Sequence, residues 1–200
     1  HQMARRIATC GYWVMLPNLY YRRVKEFVMD WTEECRTVMF EHMNSLSNSM
    51  MVDDCRSLLK AASEYESAST GVAGCVGYCM SGPFAFTAAA EINDRIRAAA
   101  SIHGVRLFTD SELSPHLRAH EVKGELYFGC AETDEWAPRE MIDNLENHLS
   151  QTDVRYRIEW YPNTEHGFVF PDRGAKYHQN ASERHWHRIL SLFERNLKFS

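Results

Sequence analysis

The stretch Gly71–Glu91, GVAGCVGYCMSGPFAFTAAAE, sets a cysteine between glycines where a strand-like run gives way to a helical one. Gly71 to Val76 reads as a strand, and Pro83 to Glu91, rich in Ala and Phe, as a buried helix with proline in its first turn. A chain that passes from strand to helix within a few residues leaves no room for bulk at the crossing. Gly77 two before Cys79, Ser81 two after and Gly82 three after are small enough. Two readings follow. Either Cys79 is displayed as a nucleophile on a strained turn, or the glycines serve packing and the cysteine fills space, since Cys is among the most buried residue types. CVGYC is one residue too long for a C-x-x-C redox pair.

The flanking sequence predicts more of the same alternation. Met3 and Ile7, with Ala4 and Ala8, share a helical face that Gly11 terminates, and the apolar run Tyr12–Leu16 reads as a buried strand closed by Pro17-Asn18. Helical stretches fall within 32–65, separated by the Ser/Asn cluster 44–49; the Met-rich segment 41–51 reads as a mobile cover over a site or as a plain exposed loop. Strands are expected at Ile96–Ile102, Glu125–Gly129 and Arg155–Trp160. Helices are expected at Pro138–Leu149 and about Ser182–Leu197. Strand and helix in turn predict an α/β fold, a mostly parallel sheet with helices on both faces, in a single domain spanning 1–200.

Composition narrows the function classes. The 200 residues carry a net charge of −5 and are 44% hydrophobic, which suits a soluble protein with no reason to bind nucleic acid or an anionic membrane. No apolar run approaches the roughly 20 residues of a membrane helix. The opening residues contain no signal-peptide core, and six scattered cysteines predict reduced thiols in the cytoplasm. His116 with His120, and the HWH at 185–187, lack a third ligand at metal-site spacing, so neither a metal nor another cofactor is expected.

In a parallel sheet, ligands sit outside the carboxyl ends of the strands. A helix beginning after Cys79 favours its thiolate, which is useful for a thiol with an ordinary pKa near 8.5. The backbone N–H of Met80 is a candidate oxyanion donor. A nucleophile on such a turn needs an acid and then a histidine further along the chain. ELYFGCAETDEWAP (125–138) carries Asp134 out of one strand, and RYRIEWYPNTEHGF (155–168) carries His166 out of the next, 55 and then 32 residues on. Glu132, Glu135 and Glu165 compete with Asp134 for the acid role. His103 ends the 96–102 strand and either lines the pocket or is a hydrogen-bonded edge histidine. Tyr78, Trp136 and Phe168 flank the triad candidates as pocket walls or as core.

GYCMSG, ETDEWAP and TEHGF together resemble the dienelactone hydrolase family of α/β-hydrolases, as does PNLYYR near the start. The resemblance runs from His1 to the final helix. It implies a Cys79–His166–Asp134 triad that hydrolyses a small-molecule lactone or carboxylic ester through an acyl-enzyme. Ser81 stands where the family has a second glycine. Two arginines grip the substrate carboxylate in its best-known members: Arg22 matches the first, whereas Phe170 occupies the place of the second, with Arg173 nearby. The resemblance also implies that the family's first strands, with a second oxyanion donor and a glutamate that contacts the thiol, would lie upstream of His1, leaving this stretch poorly active alone. Two rivals are a broad carboxylesterase or thioesterase and a non-catalytic binding protein of the same fold.

Overall fold

The computed structural model describes residues 1–30 and 32–197. The chain divides into two compact units, residues 1–70 and residues 71 onward.

The first unit holds three helices, α1 (Gln2–Ala8), α2 (Glu33–Asn44) and α3 (Asn48–Ala62). Thr32 starts α2 by accepting the Cys35 N–H at 3.2 Å, with Glu33 and Glu34 at the positive end of the helix. Ser47 starts α3 in the same way, accepting the Met50 N–H at 3.2 Å. The 41–51 segment is therefore mostly helical rather than a plain loop. Its Ser and Asn residues serve as caps around a three-residue link, and Met51 is buried. Tyr12–Leu16 also departs from expectation, because residues 12–18 form no strand. An apolar run of five need not be a buried strand: here Leu16 is 58% exposed, and Trp13, 39% exposed, packs on Tyr65 at 5.3 Å.

The second unit is a parallel sheet of β1 (Ala73–Tyr78), β2 (Ile96–Ile102), β3 (Glu125–Thr133) and β4 (Arg155–Glu165), in that spatial order. Helices α4 (Gly82–Glu91), α5 (Arg139–Leu149) and α6 (Gln179–Leu197) follow β1, β3 and β4. Alternation along β1 places helices on both faces. A side chain at Gly74 would strike Phe193 of α6, whereas the thiol of the next residue, Cys75, reaches the Ala85 carbonyl of α4 at 3.5 Å. Helix α4 is buried along almost its whole length, which explains an Ala/Phe run without a polar face. Among the described residues no helix is long and apolar enough to cross a membrane.

Strands β3 and β4 run past their expected ends at Gly129 and Trp160. Strand β4 runs through Pro162; it pairs with β3 alone among the described residues, and an edge strand tolerates proline. Asp134 and His166 are consequently the first residues beyond their strands. Behind them, Glu159 of β4 is a buried carboxylate clamped by Arg188 of α6 at 2.8 and 3.0 Å, by Arg184, by Arg157 at 3.2 Å and by the Tyr127 hydroxyl at 2.9 Å. Burial would push its pKa up, yet the hydrogen bonds from Arg188, Tyr127 and Arg184 hold it at about 2.

Candidate active site

Cys79 opens a short 3-10 turn, Cys79–Ser81, between β1 and α4. Its φ of 53° lies in the left-handed region, which costs a non-glycine residue energy and persists only where neighbours enforce it. The neighbours here do so. A Cβ on Gly77 would stand 1.9 Å from the Ser81 carbonyl oxygen, so only glycine permits the crossing. A Cβ on Gly82 would meet Ser101 Oγ at 2.4 Å and Gly104 Cα at 2.6 Å, so α4 begins hard against the end of β2. Ser81 does more than fit. Its hydroxyl accepts the Tyr78 N–H at 2.7 Å and donates to the Tyr78 carbonyl at 2.8 Å, closing the turn on itself. The Val105 N–H donates to the Cys79 carbonyl at 3.2 Å and ties the turn to the loop after β2.

Asp134 and His166 meet at the carboxyl ends of β3 and β4. The Nδ1–H of His166 donates to Asp134 Oδ2 at 2.8 Å, while Asp134 Oδ1 accepts the N–H groups of Trp136 and Ala137 at 2.9 and 3.0 Å. Both carboxylate oxygens are thus committed, and the side chain is only 1% exposed. With Nδ1 carrying a proton toward the acid, Nε2 is the ring's other nitrogen, and Cys79 is among the neighbours that favour a protonated ring. Burial pulls the His166 pKa down, but Asp134 and Cys79 outweigh it and raise it to about 9.

The competing acids are engaged elsewhere. Glu132 accepts the N–H of Asn163 at 2.7 Å, bracing the left-handed Asn163 near the end of β4 against β3. Glu165 pairs with Lys176 at 3.4 Å. Glu135 is exposed. Chain order alone does not separate these carboxylates from Asp134; only the two strand ends brought side by side do.

Rings pack behind these side chains. Tyr78 packs on Phe170 at 5.5 Å, and its hydroxyl lies 3.4 Å from Nε2 of buried His185 on α6. Nδ1 of His185 is hydrogen-bonded to the Ser182 carbonyl, which leaves Nε2 to accept from Tyr78. Burial pushes the Tyr78 hydroxyl well above the usual phenol range. Phe168 is fully buried against Tyr161 at 4.9 Å, and Trp136 is 48% exposed. His103 departs from a hydrogen-bonded edge histidine: it is buried, and among the described residues neither ring nitrogen has a partner. Met80 is the second residue of the 3-10 turn. Arg22 forms a two-pronged pair with Asp54, at 2.7 Å on both prongs, inside the first unit. Arg173 lies over Gly167, its Nε 3.6 Å from where a side chain there would begin.

The paired histidines differ in their surroundings. His116 Nδ1 is bonded to Ser114 Oγ at 2.7 Å and its ring stacks on Phe108, whereas His120 is exposed. His185 and His187 lie respectively buried and exposed on α6. Among the described residues no three His, Cys, Asp or Glu side chains converge to hold an ion. Small size at position 81 is legible in the sequence, but the Ser81 hydroxyl's two bonds to Tyr78 and the approach of His185 to the Tyr78 hydroxyl are not. Their contacts depend on α6 folding back over β1 and on the tightness of one turn.

Comparison with known proteins agrees with this architecture. The chain is 24% identical over 201 residues to a Synechocystis sp. protein assigned as a carboxymethylenebutenolidase, covering 98% of the chain and 80% of the relative. A Klebsiella pneumoniae protein assigned as a dienelactone hydrolase superposes with a TM-score of 0.83 at 20% identity, over 97% of this chain and 80% of that one. A dienelactone hydrolase-like promiscuous phosphotriesterase from metagenomic libraries superposes with a TM-score of 0.77 at 16% identity, over 98% and 79%. The profile of the dienelactone hydrolase family matches residues 1–197, and the chain therefore belongs to that family of α/β-hydrolases.

Proposed function

We propose that the protein hydrolyses a carboxylic ester or lactone through a cysteine acyl-enzyme, with Cys79 as nucleophile, His166 as base and acid, and Asp134 as its orienting carboxylate. The observation that carries the reading is the 2.8 Å bond between His166 and the buried Asp134, beside a thiol on a left-handed turn. His166 takes the Cys79 proton, and the thiolate adds to the carbonyl carbon. The resulting oxyanion sits within reach of the Met80 N–H. Collapse breaks the acyl C–O bond, and the departing alkoxide or enolate takes the proton from His166. Water then gives a proton to His166 and attacks the thioester; collapse releases the acid and restores the thiol. In a lactone both products remain one molecule.

Two features favour a broad ester or lactone substrate over one that must carry a carboxylate. Arg22 is already filled by Asp54, and Phe170 sets an aromatic ring against Tyr78 and His103 where a second cation would serve an anionic group. All six cysteines are free thiols, in keeping with a reducing cytoplasmic setting. Iodoacetamide labelling tests the nucleophile: Cys79 should react well ahead of the other five thiols, and Cys79→Ala should abolish p-nitrophenyl acetate turnover. A non-catalytic binding protein would show neither preferential labelling nor any effect of that substitution.

A further inference from the structure

His103 combines an unusual backbone with unmet polarity. It follows the last residue of β2 with φ of 38°, a left-handed conformation uncommon outside glycine. Its ring is 1% exposed, and both nitrogens are buried without a hydrogen-bond partner among the described residues. A neutral imidazole always presents one donor and one acceptor, so each nitrogen forgoes a partner that water would have supplied. An apolar side chain would avoid that cost. Strain and unmet polarity that coincide at one residue point to a role beyond packing.

The ring's surroundings show what that role is. Its centroid lies 4.7 Å from that of His166 at an interplanar angle of 61°, an edge-to-face contact. Phe168 at 5.9 Å, Phe170 at 5.5 Å and Tyr78 at 6.1 Å complete the enclosure. The titratable or charged groups that face it are His166 after β4, Tyr78 of β1, His185 of α6 and Arg173 of the following 3-10 segment. None is an anion; the carboxylate of the triad is spent on His166 Nδ1. His166 itself is faced by Asp134, Cys79 and His103.

We propose that His103 is a positioning residue that stays neutral and, through its edge-on contact, stabilises the protonated ring of His166 and with it the Cys79 thiolate–His166 imidazolium pair. The proposal rests on the triad reading above. A neutral aromatic ring, with an electron-rich face and a nitrogen lone pair, attracts an adjacent cation. His103 does this without taking the proton itself. Burial first, and the charge of His166 second, hold its pKa well below the ordinary histidine value. A phenyl ring keeps the enclosure but has no lone pair, and a small amide has no ring.

The test is the pH profile of Cys79 alkylation by iodoacetamide in the wild type, His103→Phe and His103→Asn. Asn suits the left-handed backbone and covers the case in which Phe does not fold. In both variants the rising limb should move up by about half a pH unit, so that alkylation at pH 6 slows about threefold, or ~0.7 kcal/mol. His103→Phe removes two unpartnered polar atoms but puts a bulkier ring on a left-handed backbone, so its reactivity is read only where it melts no lower than the wild type. Reduced reactivity would then not reflect a loosened fold. A reactive Cys79 whose profile is unchanged in either folded variant overturns the proposal while leaving the triad standing. A wild-type Cys79 no more reactive than the other five thiols overturns the triad reading and this one with it.

Discussion

Asp134→Asn separates the electrostatic part of the site from its shape. Asparagine is isosteric, and its oxygen can go on accepting the Trp136 and Ala137 N–H groups, so the loop after β3 should keep its form. Its amide nitrogen then faces His166 Nδ1 and cannot accept a proton from it. The ring must present Nδ1 as an acceptor and carry its hydrogen on Nε2, the nitrogen that takes the Cys79 proton in the proposed mechanism. In the wild type burial opposes the imidazolium, and Asp134 and Cys79 together raise its pKa to about 9. A fall to the ordinary value near 6.5 corresponds to about 2.5 pH units, or about 3.4 kcal/mol and roughly 300-fold in the protonated population. The histidine is 11% exposed, so solvent relieves little of this. The same exchange in a Ser-His-Asp triad lowers kcat by about 10⁴. We expect kcat/KM for p-nitrophenyl acetate to drop at least about 100-fold. The falling limb of its pH profile, near pH 9 in the wild type, should move below pH 7. The proton-linked stability changes likewise: a raised histidine pKa stabilises the fold below about pH 6.5 and loses that contribution as pH climbs through about 9. Asp134→Asn with activity within threefold of wild type and an unmoved upper limb would refute the assignment of Asp134.

Two further substitutions probe the framework. Gly77→Ala drives a methyl group into the Ser81 carbonyl, 1.9 Å away, and backbone cannot yield as a flexible side chain does; a loss of about 3 kcal/mol is expected by chemical denaturation, with thiol reactivity lost in parallel. Glu159→Gln leaves three arginines without their carboxylate and should cost about 3 kcal/mol at pH 7. Because the Glu159 pKa is depressed to about 2, its contribution is complete above about pH 4.5 and disappears as pH falls through 2. The stability gap between wild type and variant, followed by urea melts from pH 7 downward, should therefore close in acid.

Much of this protein is local in origin, and such features are written in the chain. The turn at Cys79 needs small residues at fixed offsets. Helix α4 needs an unbroken apolar run, and β2 spans the expected Ile96–Ile102 because burial on both faces demands a run of small apolar residues. The positions of Asp134 and His166 beyond two successive parallel strands follow from the same periodicity. What the chain does not declare is which distant groups share a surface. Glu132, Asp134, Glu135 and Glu165 are all carboxylates near a strand end. Only the lateral pairing of β3 with β4 gives Asp134 to the imidazole and Glu132 to Asn163. Tyr12–Leu16 reads as a strand because burial favours apolar residues, but a strand also needs a neighbouring backbone, which no single segment specifies. His103 looks like any histidine at the end of a strand. The lack of a hydrogen-bond partner for either ring nitrogen among the described residues, and the contact with His166, exist only once β2, β4 and the rings of Tyr78, Phe168 and Phe170 have closed around it. Short-range sterics and side-chain period are carried by neighbours in sequence, whereas electrostatic environment depends on what folding brings together.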